Sequence, residues 1–332
     1  MRSIPFYPVM VLLLVGFGAY LGCDHSPIDL PLQNVNHESS GQLDPLAEFV
    51  IPQRTPSNII VGSFNLQRLG PTKISDPWVV EKFAEIIRVF DVLALQEITS
   101  VDQRTLALLV EQVNRNGANY AYTISERIGR EATNGYREQY AFVYDQNRLE
   151  GGPQYCYKVE DPQDLLHREP FVGRFRSRVV SGAPFSFSLI NIHTDPDEID
   201  TELDVLADVF VNVRQFEYAQ GEDDVVLLGD LNAGPNQLRK LGSIPGILPL
   251  VISQPTNTRG TRTIDNFLLD PQLTSEYVGR CGTIDLAKVF NLGPTDAERL
   301  SDHLPIWAEF SSAELRTYQA AVAGIPTDSV RR

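Results

Sequence analysis

VVLLGDLNAGP, residues Val225–Pro235, joins an aliphatic run to a polar cluster through a single glycine. Val225–Leu228 suits a strand buried on both faces, and Gly229 ends the run where Asp230 begins. Asp230 and Asn232 therefore stand at the C-terminal edge of a strand. If the extended backbone continues through Leu231, a carboxylate and an amide point into one volume of space. Gly234-Pro235 then turns the chain away. Aspartate and asparagine are also ordinary turn residues after a strand, so the rest of the chain has to decide between a turn and a site.

Working outward, the same arrangement recurs. Ile59–Phe64 reads as a strand ending in Asn65, Asp91–Leu95 delivers Glu97, and Thr263–Leu269 carries Asp265. Phe171–Val180 and Pro184–Ile192 form a hairpin joined at Ser181-Gly182, and its second arm delivers His193. Ser301-Asp302-His303 immediately precedes a last strand, Leu304–Phe310. Between these lie helices. Asp76-Pro77 caps one carrying Phe83, Ile86, Ile87 and Phe90; a second, capped near Asp102, carries Leu106, Leu109, Val110 and Val113. Asp195-Pro196 with Glu198 opens a long one through Ile199, Leu203, Leu206, Phe210, Val213 and Phe216. Tyr120–Ile124 and Gln139–Tyr144 pair around a loop bearing Arg127, Arg130, Tyr136, Arg137 and Glu138. Gly151–Glu169 reads as an irregular surface excursion and Thr283–Val289 as a further strand. The expected class is α/β: two mixed β-sheets packed face to face with helices outside, a four-layer α/β/β/α sandwich whose strand ends present chemistry on one rim.

The chain has 332 residues, 42% hydrophobic and 21% charged, enough for one large domain. Its formal net charge of -15 argues against indiscriminate binding to polyanions, so a nucleic-acid substrate would need bound metal or a local arginine face. Most carboxylates then serve as solvated surface. Arg2 precedes an apolar run centred on Val9–Leu21, the length of a signal-peptide core. The sequence divides into a signal over residues 1–23, a polar linker over 24–56, the main folded domain over 57–311 and a C-terminal helix and tail over 312–332. The expected location is the cell envelope, reached by export, with the chain tethered through a lipidated Cys23 or a retained signal anchor, or else secreted. Cys156 and Cys281 could form a disulfide after export, though spacing does not show that they are close.

Taken together, FNLQ at Asn65, LALQE at Glu97, YREQYAF at Tyr136–Phe142, HREPF at Arg168–Phe171, INIHT at His193, GDLNAGP at Asp230–Pro235, TIDNFLL at Asp265 and SDHLP at Asp302–His303 resemble the endonuclease/exonuclease/phosphatase superfamily. The REP block and the helix after His193 resemble its deoxyribonuclease I branch. The resemblance spans nearly all of Ser57–Phe310. It implies a metal-dependent phosphodiesterase, an exported endonuclease acting on DNA, or on RNA. The alternatives are a phospholipid or small-molecule phosphodiesterase with the same centre, and a binding module on a dead scaffold.

Phosphodiester hydrolysis needs an activated water, neutralised charge at phosphorus and a protonated leaving oxygen. Glu97 and Asp302, with Asn65 nearby, are hard oxygen ligands suited to Mg2+ or Mn2+. Asp230 and Asn232 would order the water or a second metal ion, and Asn232 would also touch substrate. By the resemblance, Asp265 orients His303 and Glu138 orients His193. Either imidazole could be the general acid, with His193 preferred, since a group with a reference pKa of about 6.5 exchanges protons at neutral pH. Tyr136, Arg137 and Arg168 are expected at the substrate backbone. Arg174, Arg176 and Arg178 share one strand face, either a polyanion-binding surface or a solvated one. The loop Thr256–Thr263 is a candidate Ca2+ site by the same resemblance. Two positions depart from the branch: Thr99 replaces an arginine that enters the DNA minor groove, and Pro235 replaces a disulfide cysteine. The expected assembly is a monomer.

Overall fold

The computed structural model describes residues 2–5, 51–102, 104–130, 136–178 and 182–315. In chain order the elements are β1 (Arg2–Pro5), β2 (Asn58–Leu69), α1 (Pro71–Ile74), α2 (Pro77–Ile87), β3 (Val92–Ile98), α3 (Arg104–Asn114), β4 (Tyr120–Ile124), β5 (Gln139–Asp145), β6 (Leu149–Glu150), β7 (Cys156–Glu160), β8 (Phe171–Ser177), β9 (Ser186–His193), α4 (Ile199–Tyr218), β10 (Val225–Asp230), β11 (Leu248–Pro249), β12 (Asp265–Leu269), β13 (Tyr277–Thr283), α5 (Leu286–Val289), α6 (Pro294–Leu300) and β14 (Ile306–Ser311). Among the described residues they build an eight-stranded sheet, ordered β1-β7-β8-β9-β10-β12-β11 with β6 beside β8, and a six-stranded sheet, β13-β14-β2-β3-β5-β4. Both sheets are mixed: β9–β10 and β2–β3 are parallel, whereas β10–β12 and β14–β2 are antiparallel. This is the expected four-layer sandwich.

Three apolar clusters explain the layers. Phe83, Ile87, Leu106 and Leu109 of α2 and α3 pack on Phe64, Leu93 and Leu95 of the six-stranded sheet. Leu203, Leu206 and Phe210 of α4 cover Ile190, Ile192 and Leu227 on the outer face of the other sheet. Between the sheets lie buried phenylalanines, with Phe142 and Phe171 stacked at 5.5 Å and Phe185 and Phe187 at 4.7 Å between ring centroids. Asp76 caps α2, accepting from the N–H of Trp78 at 3.1 Å and of Val79 at 3.4 Å, as its place before Pro77 predicts. Gly229 is required where β9 and β10 meet. Its φ is 146°, and a Cβ there would stand 1.9 Å from the carbonyl oxygen of Ile192.

The structure corrects several expectations. Thr283–Val289 is not a strand: β13 stops at Thr283, and Asp285 caps α5 by accepting from the N–H of Lys288 at 3.1 Å. Gly151–Glu169 contains β7, paired antiparallel with β8. The packed body begins before Ser57, because Arg54 donates to buried Asp91 at 2.8 Å. It also continues past Ser311: Glu314 donates its N–H to the carbonyl of Ala183 at 3.0 Å. Cys156 on β7 and Cys281 on β13 are both free thiols. Among the described residues no helix is long and apolar enough to cross a membrane. The apolar run Val9–Leu21, Cys23 and the tail beyond residue 315 lie outside the described residues.

Candidate active site

Strand ends from both sheets meet on one rim. The extended backbone does not run through Leu231 as expected: β10 ends at Asp230, and Asn232 turns into the left-handed region with φ 49°. Its N–H donates to Asp230 Oδ1 at 2.9 Å and its Nδ2 to the carbonyl of Thr194 at 2.9 Å. The asparagine thus ties β10 to the end of β9. Gln67, Arg68 and Glu97 also have positive φ, of 48°, 59° and 59°. Non-glycine residues held there cost of order 1 kcal/mol or more each, and such positions gather where side-chain placement matters more than local comfort.

Two carboxylate–imidazole pairs face one another across Asp230. His193 Nδ1 meets Glu138 Oε1 at 2.9 Å and its Nε2 stands 3.5 Å from Asp230 Oδ2. His303 Nδ1 lies 3.0 Å and 3.1 Å from the two oxygens of Asp265, and its Nε2 is also 3.5 Å from Asp230 Oδ2. Asn65 donates to Asp230 Oδ2 at 3.1 Å and to Glu97 Oε1 at 3.0 Å, so it bridges the two acids. Burial opposes charge on all these groups, and their mutual attraction decides the outcome. Burial would raise Asp230, but His303, His193 and the Asn232 N–H more than offset it and hold it below the carboxylate range. Burial likewise opposes the imidazolium of His303, yet Asp265 and Asp230 push its pKa up to about 10. His193 is raised, with Glu138 outweighing burial, and Glu138 is lowered by His193 and Arg168 in spite of its own burial.

Support comes from behind. Arg168, expected at the substrate, is 8% exposed and turned inward: its Nε lies 3.2 Å from Glu138 Oε2, and its Nη1 donates to the carbonyl of His193 at 3.0 Å. Tyr140 accepts from the N–H of His193 at 2.8 Å. On the other side Ser301 donates to the carbonyl of Asn65 at 2.7 Å and accepts from the N–H of His303 at 3.0 Å. Glu202 of α4 accepts from the N–H of His167, and from that of Asp195 at 2.7 Å, binding the loops that flank His193 to the helix. Burial pushes Glu202 up to about 7.

Glu97 Oε2 accepts from the N–H of Arg68 at 3.0 Å and from the hydroxyl of Tyr136 at 3.1 Å, and the exposed Arg68 guanidinium lies 5.3 Å from the Tyr136 ring centroid. Arg137 lies on the same loop as Tyr136, half-buried, and its carbonyl accepts from Arg127 at 2.7 Å. Asp302 keeps a half-exposed side chain, 3.9 Å from His303 Nε2. Lys73 donates to the carbonyls of Leu66 and Leu300, both at 2.7 Å, and burial lowers it to about 8 against the pull of Asp302 and Glu97. Glu97 and Asp302 both act on the half-buried Lys73 ammonium, and these carboxylates with the Asn65 amide oxygen are a hard donor set that fits a divalent cation. Oxygen and nitrogen atoms of Asp230, Asp265 and His303 also lie within 4.8 Å of one another, close enough to hold an ion.

Two expected elements play other parts. In the loop Thr256–Thr263, Thr256 accepts from the N–H groups of Ile264 and Asp265 at 2.9 Å and 3.0 Å, and Thr258 donates to the carbonyl of Ser301 at 2.6 Å. These hydroxyls brace the Asp265–His303 pair rather than line a cage. Arg174 is paired with Glu217 at 2.5 Å, Arg178 donates to the carbonyl of Leu149 at 3.1 Å, and their strand positions lie toward the opposite end of the sheet from His193. Arg68, Lys73, Ser301 and Glu202 were missed in the sequence. Only the polar SDH block hinted at one of them.

The fold and site define a sandwich with paired His–carboxylate groups at the strand ends. The sequence profile of the Endonuclease/Exonuclease/phosphatase family matches residues 62–303. Deoxyribonuclease-1-like 1 of Cricetulus griseus is 31% identical over 265 residues, covering 76% of this chain and 83% of that protein. Deoxyribonuclease gamma of Homo sapiens is 29% identical over 295 residues, covering 84% and 94%. Among solved structures, the catalytic domain of human Nocturnin with bound sulfate shares the fold at a TM-score of 0.52 and 17% identity, covering 77% of this chain and 93% of that one. This chain belongs to the endonuclease/exonuclease/phosphatase family, in its deoxyribonuclease I-like branch, a family of phosphodiester hydrolases.

Proposed function

We propose that this chain is a divalent-metal-dependent endonuclease that hydrolyses phosphodiester bonds in DNA. The observation that carries the reading is the placement of both Nε2 atoms at 3.5 Å from one oxygen of Asp230, each imidazole backed by its own buried carboxylate. A phosphate seated over Asp230 would meet a proton donor on either side. Mg2+ or Mn2+ held by Glu97 and Asp302 beside Asn65 would neutralise charge on the phosphoryl oxygens. Asp230, kept ionised, takes a proton from the attacking water, with the Asn232 turn fixing its carboxylate. His193 gives its proton to the leaving oxygen while Glu138 and Arg168 hold the ring, and His303, paired with Asp265, opposes the charge growing on the phosphoryl oxygen. Arg68 and Tyr136 offer a cation and a ring to the substrate beside Glu97. The relatives named deoxyribonucleases support DNA as substrate.

The test is incubation of the full chain with supercoiled plasmid, single-stranded DNA, RNA and sphingomyelin vesicles, in Mg2+ or Mn2+ and again with chelator. Nicking of plasmid in either metal, abolished by chelator and by His193→Ala, is expected. Turnover of RNA alone would move the substrate class, turnover of vesicles alone would replace the nuclease reading, and turnover of nothing would leave a binding module.

Export to the cell envelope is part of the proposal and rests on the apolar run Val9–Leu21 and on Cys23; it is at odds with the pairing of Arg2–Pro5 to β7, so the signal reading requires the sheet to stand without β1. Fractionation should place the chain in the envelope or the medium, and a membrane-bound parent whose Cys23→Ala variant stays membrane-bound would assign the tether to a retained Val9–Leu21 anchor rather than to lipid on Cys23. A cytoplasmic chain would contradict it.

A further inference from the structure

At the end of the sheets away from Asp230, five carboxylates converge. Glu222, Asp223 and Asp224 precede β10, Glu276 precedes β13, and Glu314 follows β14. Oxygens of Asp224, Glu276 and Glu314 lie within 4.8 Å of one another, as do those of Glu222, Asp223 and Asp224, so Asp224 belongs to both groups. Glu222, Asp224 and Glu276 are each no more than 2% exposed. Among the described residues none of the five forms an ion pair with a lysine, arginine or histidine; the nearby Arg174 is committed to Glu217 at 2.5 Å. The decisive feature is Asp224. Its carboxylate lies among the other acids, and its buried Oδ1 has no hydrogen-bond partner.

An unpaired buried carboxylate is expensive, so a group of them must either hold protons or be neutralised by something positive. We propose that this cluster is a second, structural cation site taking Ca2+, built on Asp224 with Glu276, Glu314 and Glu222. The oxygen-only, carboxylate-rich donor set suits an ion that accepts six to eight oxygens in flexible geometry, and suits Mg2+ less, which keeps its waters. A cleft of about 440 Å³ borders the cluster at Glu222, Asp223 and Glu314, and Arg174 and Arg176 line it as well. Without the ion, burial and the facing Glu276, Glu222 and Glu314 hold Asp224 up to about 10, and burial holds Glu222 and Glu314 each up to about 7.

The place explains the use. Glu314 Oε1 accepts from the N–H of Ser186 on β9 at 2.8 Å, and Glu276 accepts from the N–H of Leu315 at 2.5 Å, just past the end of β14. An ion here would rivet the start of β10 in one sheet to the ends of β13 and β14 in the other. Asp224 and Asp230 are six residues apart along an extended strand, roughly 20 Å, so the two sites load independently.

Calorimetric titration of Ca2+ into the chelator-dialysed full chain, in saturating Mg2+, tests this. In a Glu97→Gln background, which disables the proposed catalytic metal corner, one Ca2+ should still bind and raise Tm. Asp224→Asn, and separately the half-buried Glu314→Gln, should weaken that binding by roughly tenfold or more. Asp224→Asn without metal should be at least as stable as the parent above neutral pH, because the buried acid no longer has to hold a proton to stay neutral. No Ca2+ binding in the Glu97→Gln chain, or undiminished binding in both carboxylate variants, would overturn the site.

Discussion

His193 and His303 sit on opposite sides of Asp230 Oδ2, and what each can do is set by the carboxylate behind it. Glu138 raises the pKa of His193, so the protonated ring persists to higher pH than it would alone. If His193 must be protonated to act, Glu138→Gln should lower its pKa and move the alkaline limb of the activity profile downward by about one unit or more. A pH–rate profile checks this, and an unmoved limb would assign Glu138 a structural role alone. Removing either imidazole should lower the hydrolysis rate by a factor of about 10² to 10⁴. Thermal melting should show the fold retained. At this scale Asn65, Glu97 and Asp230 were legible because a polar residue closing an apolar run stands out, and Asp265 and His303 because each stands just ahead of one. Arg168 was legible as a residue and not in its direction: a sequence does not show that the side chain turns under His193. Arg68 and Lys73 gave no signal, since their placement follows from the two positive-φ residues where β2 bends.

Elements carry the site by being fastened to one another. Glu202 joins α4 to the loops at His167 and Asp195 on either side of His193. Its folded pKa of about 7 lies above its ordinary value, so the stability it contributes is complete at acid pH and is lost as pH rises from the ordinary carboxylate range through about 7. Glu202→Gln should flatten that part of the stability–pH curve by up to about 3 kcal/mol, measured as the difference between the two chains in urea unfolding at several pH values. Gly229→Ala should be far worse at any pH, because the methyl would strike the backbone of β9. A loss of several kcal/mol is expected, and a loss under about 1 kcal/mol would show that β9 and β10 can part there. Strands and long helices were readable from their periodicity. α5 was not, because Leu286–Val289 is a short apolar run whose helical form depends on the Asp285 cap.

For the whole molecule, the sandwich was legible because its layers repeat one pattern, aliphatic strand then amphipathic helix. The acidic cluster at its far end was not. Its five carboxylates come from residues 222–224, 276 and 314, each of which reads as solvated surface until the sheets bring them together. The net charge of -15 also takes on a different meaning, since part of it is buried rather than spread over the exterior. Chelation should therefore act twice: removal of divalent ions should stop hydrolysis and also lower Tm, and readdition of Mg2+ alone should restore activity more fully than Tm. Restoration of both together would argue for a single metal site.

The central claim is that Asp230, His193 and His303 act on one phosphate. Plasmid cleavage rates for His193→Ala, His303→Ala and the double variant test it most directly. Groups acting as a unit on one transition state are non-additive. The double variant should therefore be about as slow as the slower single one. Losses that multiply, or a single variant that retains full rate, would mean that the two imidazoles serve separate ends.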